Sequence, residues 1–275
     1  MFRHIYNDKI SVYKQSINYC IQNSLEYLAQ FKEMYSHKNT ISHIENYITR
    51  GLNSKIPSSL KQIEPAINFK EYYGQVAADY FAINILKQKK FGYFLEIGAY
   101  DYINGSHSYL LEKKYNWSGI SIGQSTNKID LFNKHRPNSA YLFKDANKID
   151  YLSELKLEGA PNNIDFLEIN VNVDNKTAYD IIEQFDKSVF NQYKFAFIVF
   201  KTDIYRGDYF NTRARSRDIF ESFGYFRVFS DVKITLPEIG LIDCPFQDWY
   251  VHPDLVDMHF INNIMQSTSI NFTDI

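Results

Sequence analysis

Residues 93–124 read YFLEIGAYDYINGSHSYLLEKKYNWSGISIGQ. An apolar run, Tyr93–Ile97, meets Gly98. A helical pattern follows over Ser106–Tyr115, and a second apolar run, Gly119–Ile122, ends at Gly123 and Gln124. This order predicts a strand, a glycine turn, a helix and a second strand. A glycine at a strand exit lets backbone approach a ligand that a side chain would exclude. The helix start beyond it offers free amides to polar ligand groups.

Outward from this unit, the pattern repeats. Short apolar runs at Ala140–Phe143, Ile164–Ile169, Lys194–Phe200 and Tyr225–Phe229 predict further strands. Helical patterns lie between them at Thr126–His135, Asn175–Phe185 and Thr212–Phe223. Continuous apolar strands alternating with helices predict an α/β fold, a Rossmann-like, doubly wound and mostly parallel sheet covered on both faces. Ligands of such sheets bind beyond the carboxyl ends of the strands, which directs attention to Gly98–Gly105.

The front of the chain has a different character. Ile10, Tyr13, Ile17, Ile21, Leu25, Leu28 and Phe31 fall at the three-four spacing of one helix face. Ser42 and Glu45 have capping-box spacing for a second helix that Gly51 would stop. Residues 1–67 are therefore read as an N-terminal helical extension and linker, and 68–275 as the main domain. The extension is a helical hairpin packed on the main domain, or an oligomerisation or docking element.

Composition excludes several classes. The 275 residues are 45% hydrophobic and 17% aromatic, enough for one well-filled core, and a formal charge of -2 gives no reason to expect a nucleic-acid partner. The two cysteines, Cys20 and Cys244, are far apart and read as reduced thiols. No apolar run nears the roughly 20 residues of a membrane span, and the N-terminus lacks the apolar core of a signal peptide, so a cytoplasmic or otherwise intracellular protein is expected. The histidines show no metal-ligand spacing, and no metal is expected.

A resemblance now becomes specific. Gln75 before a helix, FLEIGAYD (94–101), SYLLEKKYNWSGISI (108–122), IDFLEI (164–169), KFAFIVFKTDIYRG (194–207), Ser216-Arg217 before FGY (223–225) and PFQDWYVHPDLVD (245–257) together resemble the FkbM-type S-adenosylmethionine-dependent methyltransferases. The resemblance spans about residues 69–257. It implies the class I methyltransferase fold and methyl transfer from S-adenosylmethionine to a hydroxyl oxygen, often of a sugar or glycan. It also implies that Gln75, Glu96, Gly98, Ala99, Tyr100, Asp101, Gly123, Gln124, Asp145 and Ala146 surround the cofactor, with Asp145 near the adenine.

This chain departs from the family pattern at four places. Tyr102 stands where a glycine is usual, and Gly123 where a glutamate binds ribose. Asn170-Val171-Asn172 replaces an Asp-x-Asp or Asp-x-Glu pattern, and Lys201-Thr202-Asp203 replaces Glu-His-Asp. Each charge-assisted hydrogen bond lost costs about 1.5–3 kcal/mol. An acid restored by Gly123→Glu is then expected to raise cofactor affinity. Asp203 and His252 are the residues left to accept a hydroxyl proton, and His252 has the better matched titration. Both also fit local roles, His252 in the turn before Pro253 and Asp203 capping Tyr205–Gly207. Arg213, Arg215 and Arg217 would grip an anionic acceptor or pair with Asp208, Asp218 and Glu221. Two functional readings follow: an active methyltransferase, or an inactive one acting as a structural or interaction subunit.

Overall fold

The computed structural model describes residues 73–171, 176–202, 204, 207, 211–236 and 241–267. The helices expected within 1–67 and the candidate base Asp203 lie outside the described residues. Seven strands form one sheet: β1 Tyr93–Ile97, β2 Ser118–Gly123, β3 Ser139–Phe143, β4 Asn163–Ile169, β5 Lys194–Lys201, β6 Phe226–Leu236 and β7 Leu241–Val251. Their order is β3-β2-β1-β4-β5-β7-β6. β1 to β5 pair with one another in parallel, and β7 is antiparallel to β5. This is the doubly wound, mostly parallel sheet of the class I methyltransferase fold. The described residues between Ile234 and Cys244 belong to a separate compact unit.

The helices are α1 Ala78–Ile85, α2 Tyr109–Tyr115, α3 Ile129–His135, α4 Tyr151–Leu157, α5 Thr177–Gln184, α6 Thr212–Ser222 and α7 Met258–Ser267. None of the described helices is long and apolar enough to cross a membrane. α1 is the helix that the resemblance implies after Gln75; ADYFAINI has no polar face to mark it by periodicity, and all eight of its residues are buried. Its Phe81 meets Phe197, Trp249 and Phe229 with ring centroids 5.0, 5.2 and 5.5 Å apart. The opposite sheet face packs Ile97, Ile122, Ile169, Phe195 and Phe200 against Ile181, Phe185 and Phe220.

Strand periodicity then places the polar residues. Phe94 and Phe166 face α1's side of the sheet, so the residues two further on, Glu96 and Glu168, share that face. The register pairs Glu96 directly with Glu168 on one side and with Ser121 on the other. Two carboxylates side by side on a buried row repel unless cations and donors answer them. That requirement shapes the carboxyl ends of β1 and β4, where the strand order reverses.

Candidate ligand site at the exits of β1 and β4

The strand exits are tied by backbone. Gly98 and Ala99 both donate to the Ile122 carbonyl, at 2.9 and 2.8 Å, and Asn170 donates to Ile97 at 2.9 Å. Gly98 has φ +95°, and a Cβ there would lie 2.1 Å from the Asn170 carbonyl oxygen. Only glycine fits. Gly98→Ala is expected to cost at least 2 kcal/mol, on the order of a strained backbone position plus a core overlap, measurable as a lower urea midpoint.

The loop after Gly98 is organised by Asp101. Its Oδ1 accepts from the Ile103 and Asn104 amides at 3.0 Å, and its Oδ2 pairs with Lys128 at 2.8 Å. Partial burial opposes ionisation, but Lys128 and the two amides override it and hold Asp101 below the usual carboxylate range. Lys128 also donates to the Tyr100 carbonyl and lies 4.3 Å from the ring centroid of exposed Tyr100. A strap, Tyr73–Ala77, crosses this loop through a bridge between Gly74 and Gly105. Asp79 clamps the strap by accepting from the Tyr73 and Gly74 amides at 3.0 Å. Val76 and Ala77 are held in left-handed backbone at φ 50° and 59°.

Beneath the loop lies a buried polar network. Glu96 accepts from Ser106, Ser108 and Ser121 at 2.9, 2.8 and 2.6 Å. Arg136, 1% exposed, donates to Glu112 at 2.7 Å and to Ser108 at 2.8 Å, and stands 3.9 Å from Glu96. Burial, reinforced by Glu168, raises the Glu96 carboxyl despite Arg136 and the serines. His107, 0% exposed, has Nδ1 2.9 Å from Glu168 Oε1 and donates from Nε2 to the Gln75 carbonyl at 2.9 Å. The Glu168 contact is an ion pair and not an aligned hydrogen bond, since Nδ1 has no hydrogen-bond partner. Burial disfavours the imidazolium, but Glu168 outweighs it, with Asp79 and Glu96 adding, and His107 is lifted to about 9.

A cavity of about 80 Å³ opens among these groups. Five residues expected at a cofactor line it: Gln75, Glu96, Gly98, Tyr100 and Asp101. Asn104, Gly105, Ser106, Glu168 and Asn170 line it too. Glu168 was not expected. Asn170 donates to its Oε1 at 2.9 Å, while Oε2 is buried without a partner. His107 had been set aside for want of metal spacing, yet it braces both Glu168 and Gln75. No sequence signal marks either residue, because each partner is distant in the chain.

The remaining expected residues are not brought to the cavity. Ala99 is 4% exposed and packed under the loop. Gly123 and Gln124 end β2 outside it. Asp145 caps its own short turn through the Asn147 amide at 3.1 Å and lies 3.4 Å from Lys148. The Ala146 carbonyl accepts from Tyr151 at 2.9 Å. His252 is at the wrong edge of the sheet: β7 runs antiparallel to β5, pairing Val251 with Phe197 and Gln247 with Lys201. The His252 amide accordingly donates to Ala196, near the start of β5, and its Nδ1 accepts from the Asp254 amide at 3.2 Å. Of its two readings, the turn role is the one its contacts fit.

The structure also reverses the expectation for Gly123→Glu. A Cβ at 123 would lie 2.3 Å from the Ala99 carbonyl oxygen and 2.7 Å from the Tyr141 hydroxyl. Tyr141 is stacked on Phe132 with centroids 4.1 Å apart, so it has little room to retreat. Gly123→Glu is expected to destabilise by about 2–3 kcal/mol, as overpacking does, and to weaken any ligand. A gain in affinity in a titration of the variant would contradict this.

Among the described residues, the arginines on α6 pair with acids other than the expected Asp218 and Glu221, and Asp208 lies outside the described residues. Arg213 pairs with Asp231, Arg215 with Glu183 and Asp186 at 2.6 and 2.7 Å, and Arg217 with Asp248 at 2.7 Å. They are structural ties between α6 and its neighbours. Lys201 does not enter the cavity; its Nζ lies 5.3 Å from the Phe246 ring centroid.

No family model matches this sequence, and no curated protein matches it. Solved structures do. A TehB-like SAM-dependent methyltransferase from Corynebacterium glutamicum is 14% identical, with 77% of this chain and 98% of that chain covered, at a TM-score of 0.41. A precorrin-6y C5,15-methyltransferase from Geobacter metallireducens is 13% identical, with 70% and 95% covered, at 0.42. A methyltransferase from Pyrococcus furiosus is 13% identical, with 74% and 98% covered, at 0.38. Likeness at this level assigns no activity, and the fold stands on strand order and direction.

Proposed function

We propose that this chain is an S-adenosylmethionine-dependent methyltransferase of the FkbM type, binding its cofactor at the β1 and β4 exits and acting on a hydroxyl oxygen of a sugar or glycan. The observation that carries the cofactor reading is the cavity at the reversal of strand order, with Glu168 among its lining residues. The acceptor class rests on the sequence resemblance alone.

The residues present fit one end of the cofactor. Its methionine part carries an ammonium, which Glu168 and the amides of Gln75 and Asn170 would hold; Gly98 leaves the backbone open to it. When bound, the cofactor supplies an already activated methyl group, so positioning is the protein's main contribution. The ribose end fits poorly: the acid's place at Gly123 is closed by Ala99 and Tyr141. Asp101 is too well stabilised as an anion by Lys128 to be an effective proton acceptor near neutrality. Asp203 follows β5, whose end is on the cavity's edge of the sheet, and is retained as the proposed base. His252 is not.

The closed ribose place favours the second reading, an inactive subunit that docks or self-associates through residues 1–67, with 68–275 as the methyltransferase-like domain in an intracellular setting. Calorimetry with S-adenosylmethionine and S-adenosylhomocysteine distinguishes the two. Micromolar binding by either ligand excludes the inactive scaffold, and no heat at millimolar ligand excludes the enzyme.

A further inference from the structure

We infer that Asn104-Gly105 is a site of spontaneous deamidation, and that the strap Tyr73–Ala77 sets its rate by opening and closing on the Gly105 amide. Neither part requires a bound cofactor. Asn104-Gly105 is the chain's single Asn-Gly pair. Deamidation there is an internal attack. The Gly105 nitrogen gives its proton to solvent and bonds to the side-chain carbonyl carbon of Asn104. Ammonia leaves with a proton, and a five-membered succinimide closes. Water then opens the ring on either side of the nitrogen, to isoaspartate or to aspartate.

Two features of the pair favour this attack. Asn104 is exposed on a turn, so solvent reaches its side chain. Gly105 has φ +78° and nothing within 4 Å of where a Cβ would be, so no side chain obstructs its nitrogen. One feature opposes it. The Gly105 N–H donates to the Tyr73 carbonyl at 2.9 Å, beside the bridge that joins Gly74 to Gly105. While that bond holds, the nitrogen keeps its proton and does not attack.

The chemistry therefore waits for the strap to lift, a local opening rather than unfolding of the sheet. Asp79 and His107 hold the strap down, Asp79 on the Tyr73 and Gly74 amides and His107 on the Gln75 carbonyl. Against them, Val76 and Ala77 sit in left-handed backbone at φ 50° and 59°, which is unfavourable for a β-branched residue above all. A strap strained in this way opens more readily than the strand beneath it. The products then keep it off. Isoaspartate carries the chain through one extra carbon and shifts Gly105 out of register with Gly74. Either product adds a carboxylate to a lining that already holds Glu96, Asp101 and Glu168, with no lysine, arginine or histidine among the lining residues. The modification is a one-way release of Gln75 from the cavity.

The test is peptide mapping by mass spectrometry of the full chain incubated in mildly alkaline buffer, with succinimide, aspartate and isoaspartate at position 104 followed over time. Product is expected in the folded protein. Asn104→Gln, whose longer side chain closes no five-membered ring, is expected to give none. Gly74→Ala would place a Cβ 2.3 Å from His107 Cδ2 and push the strap off, and Asp79→Asn puts an amide nitrogen where an acceptor oxygen stands. Each is expected to speed the reaction about tenfold, as loss of one charge-assisted hydrogen bond would. If neither variant folds, amide exchange of the unaltered protein decides: the Gly105 amide should exchange about tenfold or more faster than that of Leu95 in β1. No product at position 104 in the folded protein overturns the inference. So does a rate unmoved in either variant once folded, or equal exchange of the two amides.

Discussion

Replacing Arg136 with methionine is expected to lower the stability of the protein by about 3–5 kcal/mol, the cost of leaving buried charge unanswered. Arg136 comes directly after α3 and is the buried cation between Glu112 and Glu96. Methionine would fill much of the same volume, so the loss would report the charge and its hydrogen bonds rather than a void. Glu112 would keep the Asn138 amide and the Ser139 hydroxyl, at 2.9 and 2.6 Å. Glu96 would keep its three serines but face Glu168 with its nearest cation gone. Adding Glu112→Gln to the methionine variant should therefore recover part of the loss. Urea unfolding measures both changes, and a loss under about 1 kcal/mol for Arg136→Met would contradict the assigned role.

The second large effect is a dependence on pH. His107 titrates at about 9 in the folded chain, above the ordinary histidine value near 6.5. Its stabilisation is therefore complete below about 6.5 and is lost as pH rises through about 9. The shift corresponds to about 3 kcal/mol. The groups facing the ring are Glu168, Asp79 and Glu96, with the Gln75 carbonyl on Nε2. Loss of the proton would leave Glu168 without its ion-pair partner, while the neutral ring would keep its Nε2 proton on the Gln75 carbonyl. Unfolding measured between pH 6.5 and 9.5 should show this decline, and a folded His107→Gln variant should lack it. Equal slopes for the two proteins would rule His107 out as the cause.

Most of the sheet was legible because strands buried on both faces read as unbroken apolar runs, and β1 falls on its expected residues. β7 was not legible. LIDCPFQDWYV carries a proline and several polar residues, and buried Asp248 is answered by Arg217 from α6 and by the Asp231 amide. Missing β7 also hid its direction, and that is why His252 looked available to the site. α2 begins at Tyr109 rather than Ser106, with Ser106 and Ser108 turned to Glu96.

The site was half legible for a similar reason. Gly98 stands at a strand exit and Asp101 accepts from the amides two and three residues on, and both signals can be read locally. Glu168 acquires its meaning from His107 and from the register with Glu96, neither of which a linear pattern displays. The closure at Gly123 is likewise set by Tyr141 and by the Ala99 carbonyl, so the missing acid is a packed position and not a vacant one.

The most direct test of the account is an amide NMR titration of the isotope-labelled full chain with S-adenosylhomocysteine. The account predicts saturable shifts centred on Gly98, Asp101, Glu168 and Asn170, absent or much weakened in Glu168→Gln. Shifts confined to the α6 and β7 side of the sheet around His252, or no shifts at millimolar ligand, would contradict it.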